Sequence, residues 1–408
     1  MQINLHHAVT SLTSALDFVG VDTVHHGKRV ALMAGAIAAE MGWRHSLRQD
    51  MTYAGMLHDC GVSRMREHRR LTETLEWDGA QEHSLRGAQY LLDCPPLARF
   101  ASIVRWHHTR WEQLLDETLD DDERLQGNLI FLADRIDVLL APYVAGTSLR
   151  NEILWEYPDI VERIAGLGGT LFSPELVEAF RRVSRRESFW LCMDPSYIED
   201  EIWEELCDSK PVEVATADAL SVSSLLARTV DAKSSYTLDH STRVASISRR
   251  LAEATGIDGE ELDKVEMAGL LHDIGKLRVP EEIIDKPGAL TLEERAYVMR
   301  HSFDTGHILK RIFPGQPIAD WARMHHENLL GTGYPERYPA SAIPREARLI
   351  SVADIFQALA QARPYRTRRD SHEVMAQLDK LRELGRIDPE MVELLRANVD
   401  ECYSLAVD

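Results

Sequence analysis

Seven chemically special residues occur twice in this chain, in one order and at nearly one spacing. His26, His58 and Asp59 become His240, His272 and Asp273 on adding 214 to each number. His83, His107 and His108 become His301, His325 and His326 on adding 218, and Asp134 becomes Asp354 on adding 220. Chance is a weak explanation even in a chain with 17 histidines. A repeat of this length says that one fold is used twice, and 408 residues leave room for a full core in each copy.

The periodicity is helical. His240, Val244, Ile247 and Leu251 fall at offsets of zero, four, seven and eleven, one face of a helix over residues 239 to 254. His26, Val30, Met33 and Ile37 repeat the offsets, so in both copies a histidine opens the inward stripe. Strand-like alternation is scarce, and the fold class expected is all-α. CDSKPVEVATA, residues 207 to 217, interrupts the periodicity and marks the boundary, giving domains 1–210 and 211–408. The segment Arg185 to Leu206 reads as an aromatic-rich close to the first domain, with Trp190 and Trp203 as packing residues. Thr291 and Glu294 fit a capping box for the helix running past His301. The acidic run Asp116 to Glu123 reads as a solvated loop.

The formal net charge of -20 argues against a protein that coats nucleic acid. Any small anionic substrate must be drawn in by metals and a local basic cluster. Five cysteines, odd in number and without a CxxC pair, fit inert buried thiols in a reducing compartment. No start resembling a signal peptide and no apolar run of spanning length is present, so the expectation is a cytoplasmic protein with no membrane partner.

LLHDIGK, Leu270 to Lys276, is the centre of the second copy. His272 supplies a neutral nitrogen, Asp273 two oxygens that can bridge two cations, and Lys276 a positive charge for an anionic substrate. With His240, His301, His325, His326 and Asp354, these groups suffice for a two-metal centre with open water positions. A lone histidine on an apolar face is usually a satisfied core histidine. Seven polar groups in one core without a cation would leave several unpaired, at roughly 1–3 kcal/mol each. Neighbours on a helix point about 100° apart, so His325 and His326 would suit two metals, or one metal and the substrate. Asp354 shares an inward stripe with Ala347, Ile350 and Ala358.

DHSTRVA (239–245), AGLLHDIGK (268–276), KPGALTLEE (286–294), RHSFDTGHIL (300–309), HHE (325–327), GTGYP (331–335), IP (343–344), VADIFQAL (352–359) and RPYR (363–366) resemble, in order and spacing, the HD-GYP branch of the HD metal-dependent phosphohydrolases. The likeness covers about residues 220 to 395, and the fold it implies is two tandem HD-type helical domains. It implies a bacterial phosphodiesterase that opens a cyclic dinucleotide, cyclic di-GMP or 3′,3′-cyclic GMP-AMP, with two or three iron or manganese ions. The family's ligand positions fall on His240, His272, Asp273, His301, His325, His326 and Asp354. Its phosphate-contacting lysine falls on Lys276, its substrate arginine on Arg363 with Arg366 near, and the pocket loop on Gly333, Tyr334 and Pro335. A homodimer is the oligomeric expectation.

Departures from the pattern are Leu330 where an acid usually precedes the glycine loop, Gln357 as the second acid of VADxFDAL, and Tyr236 where some members carry a third-metal glutamate. The last favours two divalent ions over three. Glu327 admits two readings, a partner that holds a ligand histidine or a surface acid. The cluster RPYRTRR, 363 to 369, reads as phosphate-binding.

The first copy keeps all seven ligand types, His26, His58, Asp59, His83, His107, His108 and Asp134, a possible second metal site, and adds Asp22 one turn before His26. Val62 replaces the lysine, nothing matches the glycine loop, and Ala141, Pro142 and Tyr143 stand where RPYR would be. It reads as a degenerate HD domain with a sensory, regulatory or dimerising role, the alternative being a second active site. The mechanism expected for the second copy is attack by a metal-bound hydroxide, with Asp273 bridging and Lys276 stabilising the phosphate charge. Alternatives are a nucleotide or phosphomonoester hydrolase on the same metals, or a signalling scaffold without turnover.

Overall fold

The structure is a computed structural model, and it describes residues 3–16, 25–62, 79–145, 148–207, 213–232, 239–362 and 367–407, with Glu67, Leu71, Leu75 and Trp77 singly. Asp22, Tyr236, Arg363 and Arg366 lie outside the described residues. The chain separates into two compact units, Asn4–Glu213 and Val214–Asp408 together with Met1–Ile3. Both are helical, and the strands among the described residues are two residues long.

In the first unit the α-helices of six residues or more among the described residues are α1 (Leu5–Leu16), α2 (His26–Glu40), α3 (His45–Leu57), α4 (Ala80–Leu92), α5 (Ala101–Trp106), α6 (Asp121–Leu140), α7 (Ile153–Ala165), α8 (Pro174–Val183) and α9 (Ile198–Cys207). The inward stripe on α2, Val30, Met33 and Ile37, is fully buried, and α3 and α6 pack against it. The acidic run is no loop in its second half. Asp120 accepts the backbone N–H of Glu123 at 2.7 Å, and Asp121, Asp122 and Glu123 form the first turn of α6. Carboxylates there complement the positive end of the helix dipole, which a reading by charge alone overlooks. Trp190 is buried as expected, but Trp203 is 56% exposed and does not serve the core. Cys60, Cys94 and Cys402 are buried thiols, whereas Cys207 is exposed.

The second unit runs α10 (Thr216–Asp231), α11 (His240–Ala254), α12 (Gly259–Leu271), α13 (Leu292–Ile312), α14 (Ile318–Arg323), α15 (Arg345–Ala360), α16 (Ser371–Glu383), α17 (Pro389–Ala397) and α18 (Val399–Val407). Val244, Ile247 and Leu251 of α11 are fully buried and pack on α12 and α15. Outside, Arg249 of α11 is held by Asp263 at 2.9 Å and Glu266 at 2.5 Å. Thr291 and Glu294 form the capping box of α13, and Asp370 with Glu373 forms another at α16.

Two devices bring the turn after α12 onto α13. Thr305 donates to the carbonyl of His272 at 3.1 Å and accepts the N–H of Gly275 at 3.0 Å. A Cβ on Gly275 would lie 2.0 Å from the carbonyl oxygen of His301, so only glycine permits the approach. Gly61 meets the carbonyl of His83 at 2.1 Å in the same way.

Candidate metal centre

The ligand candidates come from four separate places on the second unit. His240 opens α11, His272 and Asp273 follow the end of α12, His301 lies inside α13, and Asp354 lies on α15. His325 and His326 follow α14 beyond its C-cap, so the helical 100° separation expected for them does not apply. Their rings stand 3.9 Å apart, and both converge with His301.

The imidazoles are oriented by their own backbone. Nδ1 of His272 donates to the carbonyl of Gly269 at 2.7 Å, that of His325 to Ala322 at 2.6 Å, and that of His301 to Val298. His240 Nδ1 donates to Oε1 of Gln357 at 2.7 Å, so the amide fulfils the orienting task that the expected acid would have had. With the proton fixed on Nδ1, each Nε2 presents a lone pair inward. His240 Nε2 faces His272 Nε2 at 3.3 Å, and His301 Nε2 faces His325 Nε2 at 3.4 Å. Two lone pairs at that distance need a proton or a cation between them.

Asp273 lies across the two groups. Its Oδ2 is 3.5 Å from His240 and 3.3 Å from His272; its Oδ1 is 3.3 Å from His301 and 3.8 Å from His325. Asp354 Oδ1 lies 3.4 Å from His240 and 3.9 Å from His272. Oδ1 of Asp273 is buried without a hydrogen-bond partner among the described residues. An orphaned buried carboxylate oxygen, facing lone pairs of imidazoles, is a cost that a divalent ion would remove. The donor set therefore fits divalent metal: His240, His272, Asp273 and Asp354 on one side, and His301, His325, His326 and the other oxygen of Asp273 on the other.

Electrostatics agree with that chemistry. Burial pushes the pKa of His301 down to about 3 and that of His326 to about 4, and holds His325 well below the usual range, which leaves neutral ligands. Burial also disfavours charge on His272, but the Asp273 and then the Asp354 carboxylates outweigh it and raise the pKa to about 9. Against burial, His272 and Lys276 hold Asp273 ionised. Lys276 pairs with Oδ2 of Asp273 and keeps its side chain 27% exposed, at the rim of the centre.

The loop of Gly333, Tyr334 and Pro335 lies over the second histidine group. The Tyr334 ring is 4.8 Å from that of His326 and 6.3 Å from that of His301, and its N–H donates to the carbonyl of His326 at 3.3 Å. Glu327 follows neither reading offered by its sequence. It is buried, and its carboxylate accepts the N–H groups of Glu336, Arg337 and Tyr338 at 2.7, 3.0 and 3.2 Å. No composition signal marks a loop anchor of this kind; its place as the last letter of HHE, four residues before Gly331, is the one hint.

The first unit repeats the arrangement. Asp59 Oδ2 is 3.6 Å from His26 and 3.4 Å from His58, while Oδ1 is 3.3 Å from His83. His83, His107 and His108 converge, and Asp134 lies 3.6 Å from His26. His26 donates Nδ1 to Asp137 at 2.7 Å, and Asp137 becomes Gln357 on adding 220, a correspondence that the repeat arithmetic extends to without strain. Val62 brings no charge to the position that Lys276 holds beside Asp273. Arg135, 2% exposed, binds its chain neighbour Asp134 at 2.6 Å. Sequence reasoning passed over Arg135 because it looked for the charge at the lysine position.

An all-helical unit that gathers four or more imidazoles and two carboxylates around an HD dipeptide defines an HD-type metal-dependent phosphohydrolase. The HD domain family matches residues 224–391 and again residues 23–139. The chain is 37% identical, over 99% of its own length and 94% of the relative's, to 3'3'-cGAMP-specific phosphodiesterase 1 of Vibrio cholerae. It is 36% identical to the cyclic di-GMP phosphodiesterase response regulator RpfG of Xanthomonas campestris, over 42% of this chain and 46% of that one. The crystal structure of a cyclic GMP-AMP specific phosphodiesterase from V. cholerae, V-cGAP3, superposes with a TM-score of 0.62 over 98% of each chain at 22% identity, a likeness of fold. The chain belongs to the HD-domain phosphodiesterases of the HD-GYP type, which are metal-dependent enzymes. Among the described residues no helix is long and apolar enough to cross a membrane.

Proposed function

We propose that the second unit hydrolyses a 3′,5′ phosphodiester of a cyclic dinucleotide, with 3′,3′-cyclic GMP-AMP as its preferred substrate over cyclic di-GMP. The observation that carries the reaction is the placement of Asp273, one oxygen toward each histidine group. The preference rests on full-length likeness to the cGAMP-specific relative, whereas the cyclic di-GMP relative covers 42% of the chain.

His240, His272, Asp273 and Asp354 would hold one divalent ion and His301, His325, His326 and Asp273 a second, iron or manganese as the likeness to the HD-GYP branch implies. Such ions, when bound, supply Lewis-acid charge at the phosphate and lower the pKa of a water. Water adds to phosphorus, the bond to the 3′ oxygen breaks, and the proton lost by water ends on that oxygen, leaving a linear dinucleotide. Asp273 fixes the geometry of both sides. The Lys276 ammonium, at the rim, moves from the carboxylate to a non-bridging oxygen, where preorganised charge is worth several kcal/mol by order of magnitude, about 2.7–4 for a single donor. Burial raises the Tyr334 phenol well above its ordinary pKa, so it stays a hydrogen-bond donor at neutral pH. Arg363 and Arg366 would grip the second phosphate.

The first unit is a regulatory domain in this reading, with His26, His58, Asp59, His83, His107, His108 and Asp134 as a second metal centre, and with Arg135 beside Asp134 as a buried cation near it. Buried thiols, with no CxxC pair in the sequence, support a reducing, cytoplasmic setting. The test is turnover of cyclic GMP-AMP, cyclic di-GMP and linear nucleotides by metal-loaded protein. Hydrolysis of a linear phosphomonoester with both cyclic substrates untouched would overturn the assignment.

A further inference from the structure

The buried carboxylate of Glu327 has no part in the chemistry above. Among the described residues no cation pairs with it, and it accepts three consecutive backbone N–H groups, those of residues 336–338. A carboxylate that accepts two or three main-chain donors is a strong, directional anchor, because each bond is charge-assisted. What it anchors is the far end of the glycine loop. The near end is held separately: Oδ1 of Asn328 accepts the N–H groups of Leu330 and Thr332, both at 3.1 Å, and the Thr332 hydroxyl at 3.2 Å. Between the two anchors the loop lies directly on residues 326–328. A Cβ on Gly333 would be 2.5 Å from Cα of Glu327 and 2.6 Å from the carbonyl oxygen of His326.

We propose that Glu327 is a positioning residue for the substrate pocket: it fixes the loop of residues 331–338 to the turn that carries His325 and His326, and so sets Tyr334 over the His326 ring. One turn of chain then serves both functions, with two imidazoles for the centre and a carboxylate for the wall above it. The loop cannot shift without moving relative to the metal side, and substrate fit is tied to ligand placement by covalent neighbours. The proposal deepens the phosphodiesterase reading and rests on it for the substrate, though the loop anchor itself does not.

The test uses the full chain and the variants Glu327→Gln and Glu327→Ala. Backbone amide exchange is read at residues 336–338, bound metal by elemental analysis, and turnover on cyclic GMP-AMP and on bis(p-nitrophenyl) phosphate, a diester too small to need the loop. The result expected is exchange at those three amides at least ~10-fold faster, with α13 protected as before and metal content unchanged. KM for the cyclic dinucleotide rises by about 10-fold or more while kcat and the small-diester rate stay within ~3-fold, with glutamine the milder of the two because it keeps one acceptor. Unchanged exchange at 336–338, or metal and both substrates lost together, would overturn the role. If the wild type ignores cyclic dinucleotides, the function assignment fails, and amide exchange still decides the anchor.

Discussion

Asp273 places its two oxygens against two sets of imidazoles, and that geometry makes it the least replaceable residue of the chain. Asp273→Asn is expected to lower phosphodiester turnover by about 10³-fold or more, as loss of a metal-orienting group does, with less bound metal by elemental analysis. His272, raised to about 9 by the two carboxylates, is protonated at neutral pH while no cation is bound. Metal uptake must displace that proton, so affinity should rise between pH 7 and 9, and calorimetry in buffers of different ionisation heat should show proton release. Asp231, buried beside Ser241, is raised to about 6 by burial above its ordinary 3.8. Its folded state holds the proton more tightly than the unfolded state, so its contribution is full below pH 4 and is lost as pH rises through 6. Asp231→Asn should remove a stability decline of about 3 kcal/mol across that window, measured by denaturation of metal-free protein. At this scale the residues that converge were legible because each recurs at an offset of 214 to 220. Glu327, Gln357 and Arg135 were not, since their roles depend on which backbone or side chain lies opposite.

At the scale of elements, stripes such as Val244, Ile247 and Leu251 announce a helix and its buried face, and the structure buries them. Signals lying at element ends were harder to read. The acidic residues 121–123 join a helix whose cap is Asp120, and His325 with His326 leave the helix that their letters suggest they share. Helix termination depends on tertiary neighbours that composition does not record. The joint between the HD turn and α13 is a matter of clearance: Gly275 has no room for a methyl group against the His301 carbonyl. Gly275→Ala is expected to destabilise the second unit by about 1–3 kcal/mol or more through overpacking, seen as a lower melting temperature. Because the same shift pulls His272 and Asp273 away from His301, turnover should fall further than stability alone predicts.

Over the whole molecule, the duplication of seven residues foretold two compact units, and the exchange of Lys276 for Val62 is the sequence ground for proposing that they differ in use. That Arg135 sets a buried positive charge beside Asp134 was invisible until α6 was folded. His272→Ala should abolish phosphodiesterase activity and remove metal from the second unit, leaving the complement of the first; His58→Ala should remove metal from the first and leave turnover in the second. Elemental analysis beside activity assays checks both, and loss of turnover in both variants would contradict separate centres. The inward lone pairs, set by carbonyls three residues back, carry one more implication. An empty centre of this design is not at rest, because something positive must come between those nitrogens. Hydrogen ions and a divalent ion would compete for that one berth, so acidity and metal supply together would set how much of the protein stands ready to act.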